Sequence, residues 1–278
     1  MSALFLALAG LAIALLSSSL GIGGGVFTVP VLRFAGDSMN MPASTLGVQA
    51  IAGSFLLMVL FAGAASWVNL KAGRVLLREG LILGLSDAGG ALIGSRLALQ
   101  LSTDQLGLVF AALLFASAGI ILLRRPKDRV AEPSSSGFDA MPYRILLLVP
   151  IGIFTGIVSA LTGIGGGFFM VPALMVIFRA QPQVAIATST FCIVFIALAA
   201  NAGFLIDSFY APVRDLPPQP RLGYVYLPLI LPLLAGGVLG GVIGARLMGS
   251  VKSRHLRLTL ALLQVLVGLR MLLESVGQ

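Results

Sequence analysis

The residues best suited to chemistry in this chain are glycines. Gly21-Ile22-Gly23-Gly24-Gly25 is followed by Pro30, and Gly163-Ile164-Gly165-Gly166-Gly167 is followed, after Phe168, by Pro172 at the same spacing. Each run lies inside a long apolar stretch. Four glycines in five residues cannot sustain a helix, because each costs about 1 kcal/mol relative to alanine. The N–H groups freed by such a break cannot be satisfied by lipid, so the break must be buried in protein or face water. Pro30 and Pro172 suit the first turn of a new helix, where a missing N–H costs nothing. A helix N-terminus with bare glycine amides is a ready anion site. Two of them facing each other would hold one small anion without burying a full cation. The candidate substrate-binding residues are therefore Gly21, Ile22, Gly23, Gly24 and Gly25, with Gly163, Ile164, Gly165, Gly166, Gly167 and Phe168. The competing reading is that the glycines only let helices pack closely. A Walker-type phosphate loop is excluded, since no Lys-Ser/Thr follows either run.

The elements that must position these runs are membrane helices. Of 278 residues, 58% are hydrophobic and 10% charged, and the mean hydropathy is +1.04. Soluble domains carry about 25% charged residues. The composition excludes a soluble enzyme, a disordered tail and a secreted disulfide scaffold, and leaves an all-α polytopic membrane protein. Eight apolar segments run Ala3–Phe34, Ser44–Ser66, Leu76–Leu101, Gln105–Leu123, Ile145–Phe178, Val184–Ile206, Val225–Met248 and Leu256–Leu273. Six fit one crossing of a ~30 Å core. The first and fifth, which hold the glycine runs, are too long for one plain helix. Trp67, Tyr143, Tyr210, Tyr224 and Tyr226 fall at or near segment edges, where amphipathic rings favour the headgroup region. The apolar start lacks a basic n-region and reads as part of the mature chain.

A basic, Pro/Ser-rich linker at 124–143 separates a first transmembrane repeat (1–123) from a second (144–278). Over the twelve residues from Gly21 and from Gly163, nine are identical. Gly90 through Leu97 resembles Gly240 through Leu247, and Gly47-Val48-Gln49 falls opposite Ala187-Thr188-Ser189 if a gap is allowed. Duplicated halves with Gly/Pro-broken segments in corresponding places point to the binding site of a secondary transporter. On these motifs the sequence resembles the sulfite exporter TauE/SafE family, which is also linked to sulfonate uptake. The resemblance spans nearly the whole chain, apart from the linker and the 207–224 loop. It implies a multi-pass transporter of the bacterial-type inner membrane, moving sulfite or another small sulfur-containing or organic anion without a metal or organic cofactor. The alternative is a passive anion channel.

Other polar residues fit around that reading. Asp87 is the only acid near the centre of an apolar segment, and such carboxylates are functional candidates by default. It is a candidate for proton coupling, or for a hydrogen bond to opened backbone. Arg96 and Arg246 are candidate gates, although arginines near helix ends usually snorkel to the interface. Thr188, Ser189 and Gln49 are short donors for an anion's oxygens, against the common use of helical Ser and Thr in bonding their own backbone. Asn201 suits helix–helix hydrogen bonding, His255 a solvated basic stretch, and Cys192 a small apolar site. No Cys/His/Asp cluster has metal-ligand spacing, and no Ser/His/Asp set is present. The 18 Lys and Arg lie at segment ends rather than along a stripe, which argues against nucleic acid.

Charge also bears on topology. If all eight segments cross, 11 of the 18 basic residues share the linker side; if the first and fifth dip in and return, 13 do. The second arrangement fits the positive-inside bias better and makes the halves inverted repeats with a cytoplasmic linker.

Overall fold

Where the glycines cluster, the helix stops. In the computed structural model of the protein, residues 3–21, 23–39, 41, 43–123, 142–178, 180–210, 217–218 and 220–247 are described, with short runs between 258 and 273. The first apolar segment forms α1 (Ala3–Leu20) and α2 (Gly25–Asp37), parted by the first glycine run. Next come α3 (Ala43–Lys71), α4 (Leu77–Ala98) and α5 (Thr103–Leu123). The second half repeats the order with α6 (Pro142–Thr162), α7 (Gly167–Ile177), α8 (Pro182–Ser208) and α9 (Leu227–Leu247), and helical residues recur after 258. Among the described residues, α3, α4, α8 and α9 are long and apolar enough to cross a membrane. The protein is an all-α, multi-pass membrane protein. Most of the linker, 124–141, lies outside the described residues.

Both short helices start from a glycine in the left-handed region, Gly24 at φ 84° and Gly166 at φ 74°, which side-chain-bearing residues rarely adopt. Gly24 O accepts from the amides of Phe27 and Thr28, and Gly166 O from those of Phe169 and Met170. The prolines sit deeper than the sequence suggests. Pro30 and Pro172 are each the sixth residue of their helix rather than first-turn residues. There each removes a donor to the carbonyl four residues back, so the short helices are weakened a second time just beyond their start.

The halves interlock through glycine. α1 packs chiefly on α9, and α6 chiefly on α4. A Cβ built at Gly236, Gly240 or Gly244 would meet the carbonyls of Ala7, Leu11 and Leu15 in that order. One at Gly90 or Gly94 would meet those of Ile153 and Ile157. Order is preserved in both pairs, so α1 runs parallel to α9 and α6 parallel to α4. Close backbone approach of this kind is how membrane helices associate without a hydrophobic driving force. α4 likewise runs parallel to α8, with Gly80 against Phe191 and Gly84 against Phe195. The start of α4 lies beside the end of α9, since Arg74 Nη1 donates to Ala245 O at 3.3 Å.

Two features depart from the sequence reading. The 207–224 loop runs into a two-stranded hairpin, β1 (Arg221–Leu222) with β2 (Val225–Tyr226), turning at Gly223 with φ 57°. Tyr224 is buried there against Phe204, ring centroids 6.4 Å apart. Trp67 is exposed beneath the Lys71 ammonium, 4.6 Å away. Asn201 bonds its own helix at Ala197 O, not a neighbour. His255 lies outside the described residues.

Candidate substrate site

The two glycine breaks touch. A Cβ at Gly25, the first residue of α2, would collide with Gly163 O and the Cα of Ile164. One at Gly23 would lie 3.2 Å from Ile164 O and 3.1 Å from Ile193 Cδ1. Gly21, Gly23, Gly163 and Gly165 all have positive φ, as do the caps Gly24 and Gly166, so both turns are of a kind glycine tolerates best. Ile164 and Phe168 are buried beside them, and Gly167 opens α7. Ile22 lies outside the described residues. α2 therefore begins against the other half's break, and its N-terminus brings roughly half a positive charge to that place.

Each break is held by a serine of the opposite half. Ser189 Oγ on α8 donates to Gly21 O at 3.1 Å, and Ser54 Oγ on α3 reaches Gly163 O at 3.1 Å. Both serines are fully buried. Ser54 also reaches Ile51 O of its own helix, at 2.7 Å. Ser54 is the residue that reading the sequence missed. With no gap penalty for the shorter connection, Ala50-Ile51-Ala52-Gly53-Ser54 aligns with Ala185-Ile186-Ala187-Thr188-Ser189, four residues of five identical. That is a better match than the expected pairing of Gln49 with Ser189, and the contacts follow it.

Gln49 lies five residues earlier, about 7.5 Å along the helix. Its Nε2 donates to Thr45 Oγ1 at 2.7 Å, its buried Oε1 has no partner, and it lines a narrow pocket with Met41 and Tyr226. Thr188 serves a neighbouring element, its Oγ1 accepting from the amide of Leu76 at 3.0 Å where α4 begins. Neighbouring residues of α8 thus hold the α3–α4 turn and the first break. Asp87 is fully buried on α4; the hydroxyl of Thr155 on α6 donates to its Oδ1, and its Oδ2 has no partner. Cys192 is buried nearby on α8, its Sγ donating to Gly80 O at 3.3 Å. The two arginines lie away from the breaks. Arg96 has a side chain 72% exposed, 3.9 Å from Asp207 Oδ1, and Arg246 is exposed at the end of α9. No group of metal-ligating side chains occurs among the described residues.

Comparison with known proteins agrees with this architecture. The profile of the family described as sulfite exporter TauE/SafE matches residues 6–271, nearly the whole chain. The chain belongs to the TauE/SafE family. It is 26% identical to the probable membrane transporter protein YunE of Bacillus subtilis, over 99% of each chain. It is 28% identical to a probable membrane transporter protein of Haemophilus influenzae, over 93% of this chain and 94% of that one. A third relative, from Xylella fastidiosa strain 9a5c, is 31% identical over 61% of each. No solved structure matches. The TauE/SafE membership, these relatives and the apolar helices make the protein a multi-pass membrane transporter of the cell membrane.

Proposed function

We propose that the protein is a secondary carrier of a small oxyanion, with one substrate site where the two glycine breaks meet and with alternating access to it. Sulfite or an organosulfonate is the substrate class that the family points to. The single observation that carries the reading is the contact of Gly25 with Gly163 and Ile164, which brings a helix start and two runs of opened backbone to one buried place. Glycine amides of both runs would bind the anion's oxygens, as helix N-termini do elsewhere. Ser54 and Ser189 would turn their hydroxyls from the Gly163 and Gly21 carbonyls to the anion when it arrives. Asp87 would carry a proton with each transport cycle, offsetting the charge of the anion.

The halves are proposed to be inverted repeats. α1 runs with α9 and α6 with α4, while the start of α4 meets the end of α9. If the short turn between α3 and α4 reverses the chain, α2 must return to the side from which α1 came. The first and fifth segments then dip in and come back. Two introduced cysteines test this in a Cys192→Ala background, using an impermeant thiol reagent on right-side-out cells. Ala72→Cys, in the exposed α3–α4 turn, is expected to be shielded, and Tyr210→Cys, at a position 86% exposed, to be labelled. Labelling of both or of neither contradicts the inverted arrangement.

The functional reading itself is tested in proteoliposomes holding the purified protein, with sulfite, sulfoacetate, taurine and simple carboxylates. A carrier is expected to saturate and to show counterflow for at least one oxyanion. Unsaturable flux at conductances far above carrier turnover would instead identify a passive channel.

A further inference from the structure

We infer that Thr155 is the positioning residue through which protonation of Asp87 reaches the second glycine break, because its one hydroxyl hydrogen must choose between the Asp87 carboxylate and the carbonyls of its own helix. The inference rests on the coupling role proposed above for Asp87.

α6 presses its backbone flat against Asp87. A Cβ at Gly152 would lie 2.6 Å from the Ser86 side chain and 3.1 Å from the Asp87 amide, and one at Gly156 would collide with Asp87 O. Between these two glycines α6 offers one polar side chain. Thr155 Oγ1 has three acceptors in reach: Asp87 Oδ1, Ile151 O at 2.9 Å and Gly152 O at 3.1 Å. A threonine hydroxyl has one hydrogen to give and two lone pairs to receive with. With Asp87 ionised, the hydrogen goes to the carboxylate, since charge-assisted bonds are the stronger kind. With Asp87 protonated, the acid O–H donates to Thr155 Oγ1, and the threonine hydrogen turns to Ile151 O or Gly152 O. No covalent bond changes; one proton arrives from one side of the membrane and leaves to the other.

The surroundings leave this choice to Thr155. Asp87 Oδ2 has no partner. Facing it, α8 brings the Cys192 thiol, which is committed to Gly80 O, and no lysine, arginine or histidine lies in Pro182–Ser208. The cation of α6 is Arg144, in its first turn, and α4 itself holds Arg78 and Glu79 at its start and Arg96 at its end.

The hydroxyl's choice bears on the break because of where Thr155 stands. A threonine that bonds the carbonyl one turn back tends to bend its helix, and α6 already lacks a donor at Pro150. The Thr155 carbonyl lies 3.7 Å from the place a Cβ would take at Gly166, so movement of α6 is felt at the cap of α7. The first half has no such pair. By the motif alignment Ile13 stands where Thr155 does and Gly237 where Asp87 does, and the Phe61 ring covers Gly237. Proton control is built into one break alone.

The experiment is transport of labelled sulfite, or of the panel oxyanion that the wild type carries, by the full chain in proteoliposomes. Thr155→Val is expected to lose pH-gradient-driven net flux at least about tenfold and to flatten its pH profile, while anion-for-anion exchange stays within about twofold; Thr155→Ser restores both. Wild-type pH-driven flux and profile in Thr155→Val, alongside their loss in Asp87→Asn, overturns the role of Thr155 and leaves the Asp87 coupling standing. Undiminished pH-driven flux in Asp87→Asn overturns the coupling itself and this inference with it. Should Thr155→Val fail to insert, infrared spectra decide. The pH-dependent carboxyl stretch that Asp87→Asn removes is expected to shift in Thr155→Ala, and an unshifted band there overturns the inference.

Discussion

Gly25→Ala is expected to abolish anion flux, by about a hundredfold or more, while the protein still inserts and folds. Gly25 is the first residue of α2 and has ordinary helical geometry, so alanine is not excluded by its backbone. What excludes it is the opposite half: the added methyl would fall on Gly163 O. The two breaks must then part, and an anion held between them, as proposed above, would lose one set of donors. Hydrogen bonds to charged groups contribute about 1.5–3 kcal/mol each, so losing two suffices for the fall. Gly63→Ala, at a helical glycine with open space around it, is the control and is expected to transport at the wild-type rate. Flux measured in proteoliposomes, with the inserted fraction checked by size-exclusion chromatography, decides. Wild-type flux from Gly25→Ala would remove the breaks from the substrate path.

The second large effect is at Asp87. Asp87→Asn keeps the shape of the side chain but removes the titrating group, leaving a permanently neutral amide opposite Thr155. Substrate-for-substrate exchange needs no proton and is expected to continue. Net flux driven by a pH gradient needs a group that takes up and gives up a proton at membrane depth, and is expected to fall to background. Intramembrane carboxylates are retained mainly for such work. If net pH-driven transport persists in Asp87→Asn, the buried acid serves the α4–α6 contact only.

Much of this was legible in the residues. The composition required membrane helices, and four glycines in five residues in each half required the first and fifth segments to break where they do. What the runs could not disclose was that they would touch, because that depends on α1 and α6 each packing on a helix of the other half. The glycine ladders Gly90, Gly94 and Gly240, Gly244 were visible as similar stretches, but their partners were not. Ser54 was overlooked because its alignment with Ser189 needs a longer stretch between Gly21 and Ser54 than between Gly163 and Ser189. The prolines were placed a turn too early, since a left-handed glycine cap, not proline, starts each short helix. Thr155 gave no signal at all. A lone threonine in an apolar helix gains meaning only when Asp87, far away in sequence, is set against it.

Both breaks are proposed to build one anion site. Isothermal titration of sulfite, or of the oxyanion identified by flux, into the detergent-solubilised full chain tests it most directly. One anion is expected to bind per chain, with binding lost when either Ser54 or Ser189 is changed to alanine together with Gly25→Ala, and weakened by each serine change alone. Two independent anions per chain, or one whose affinity ignores all three changes, would contradict it.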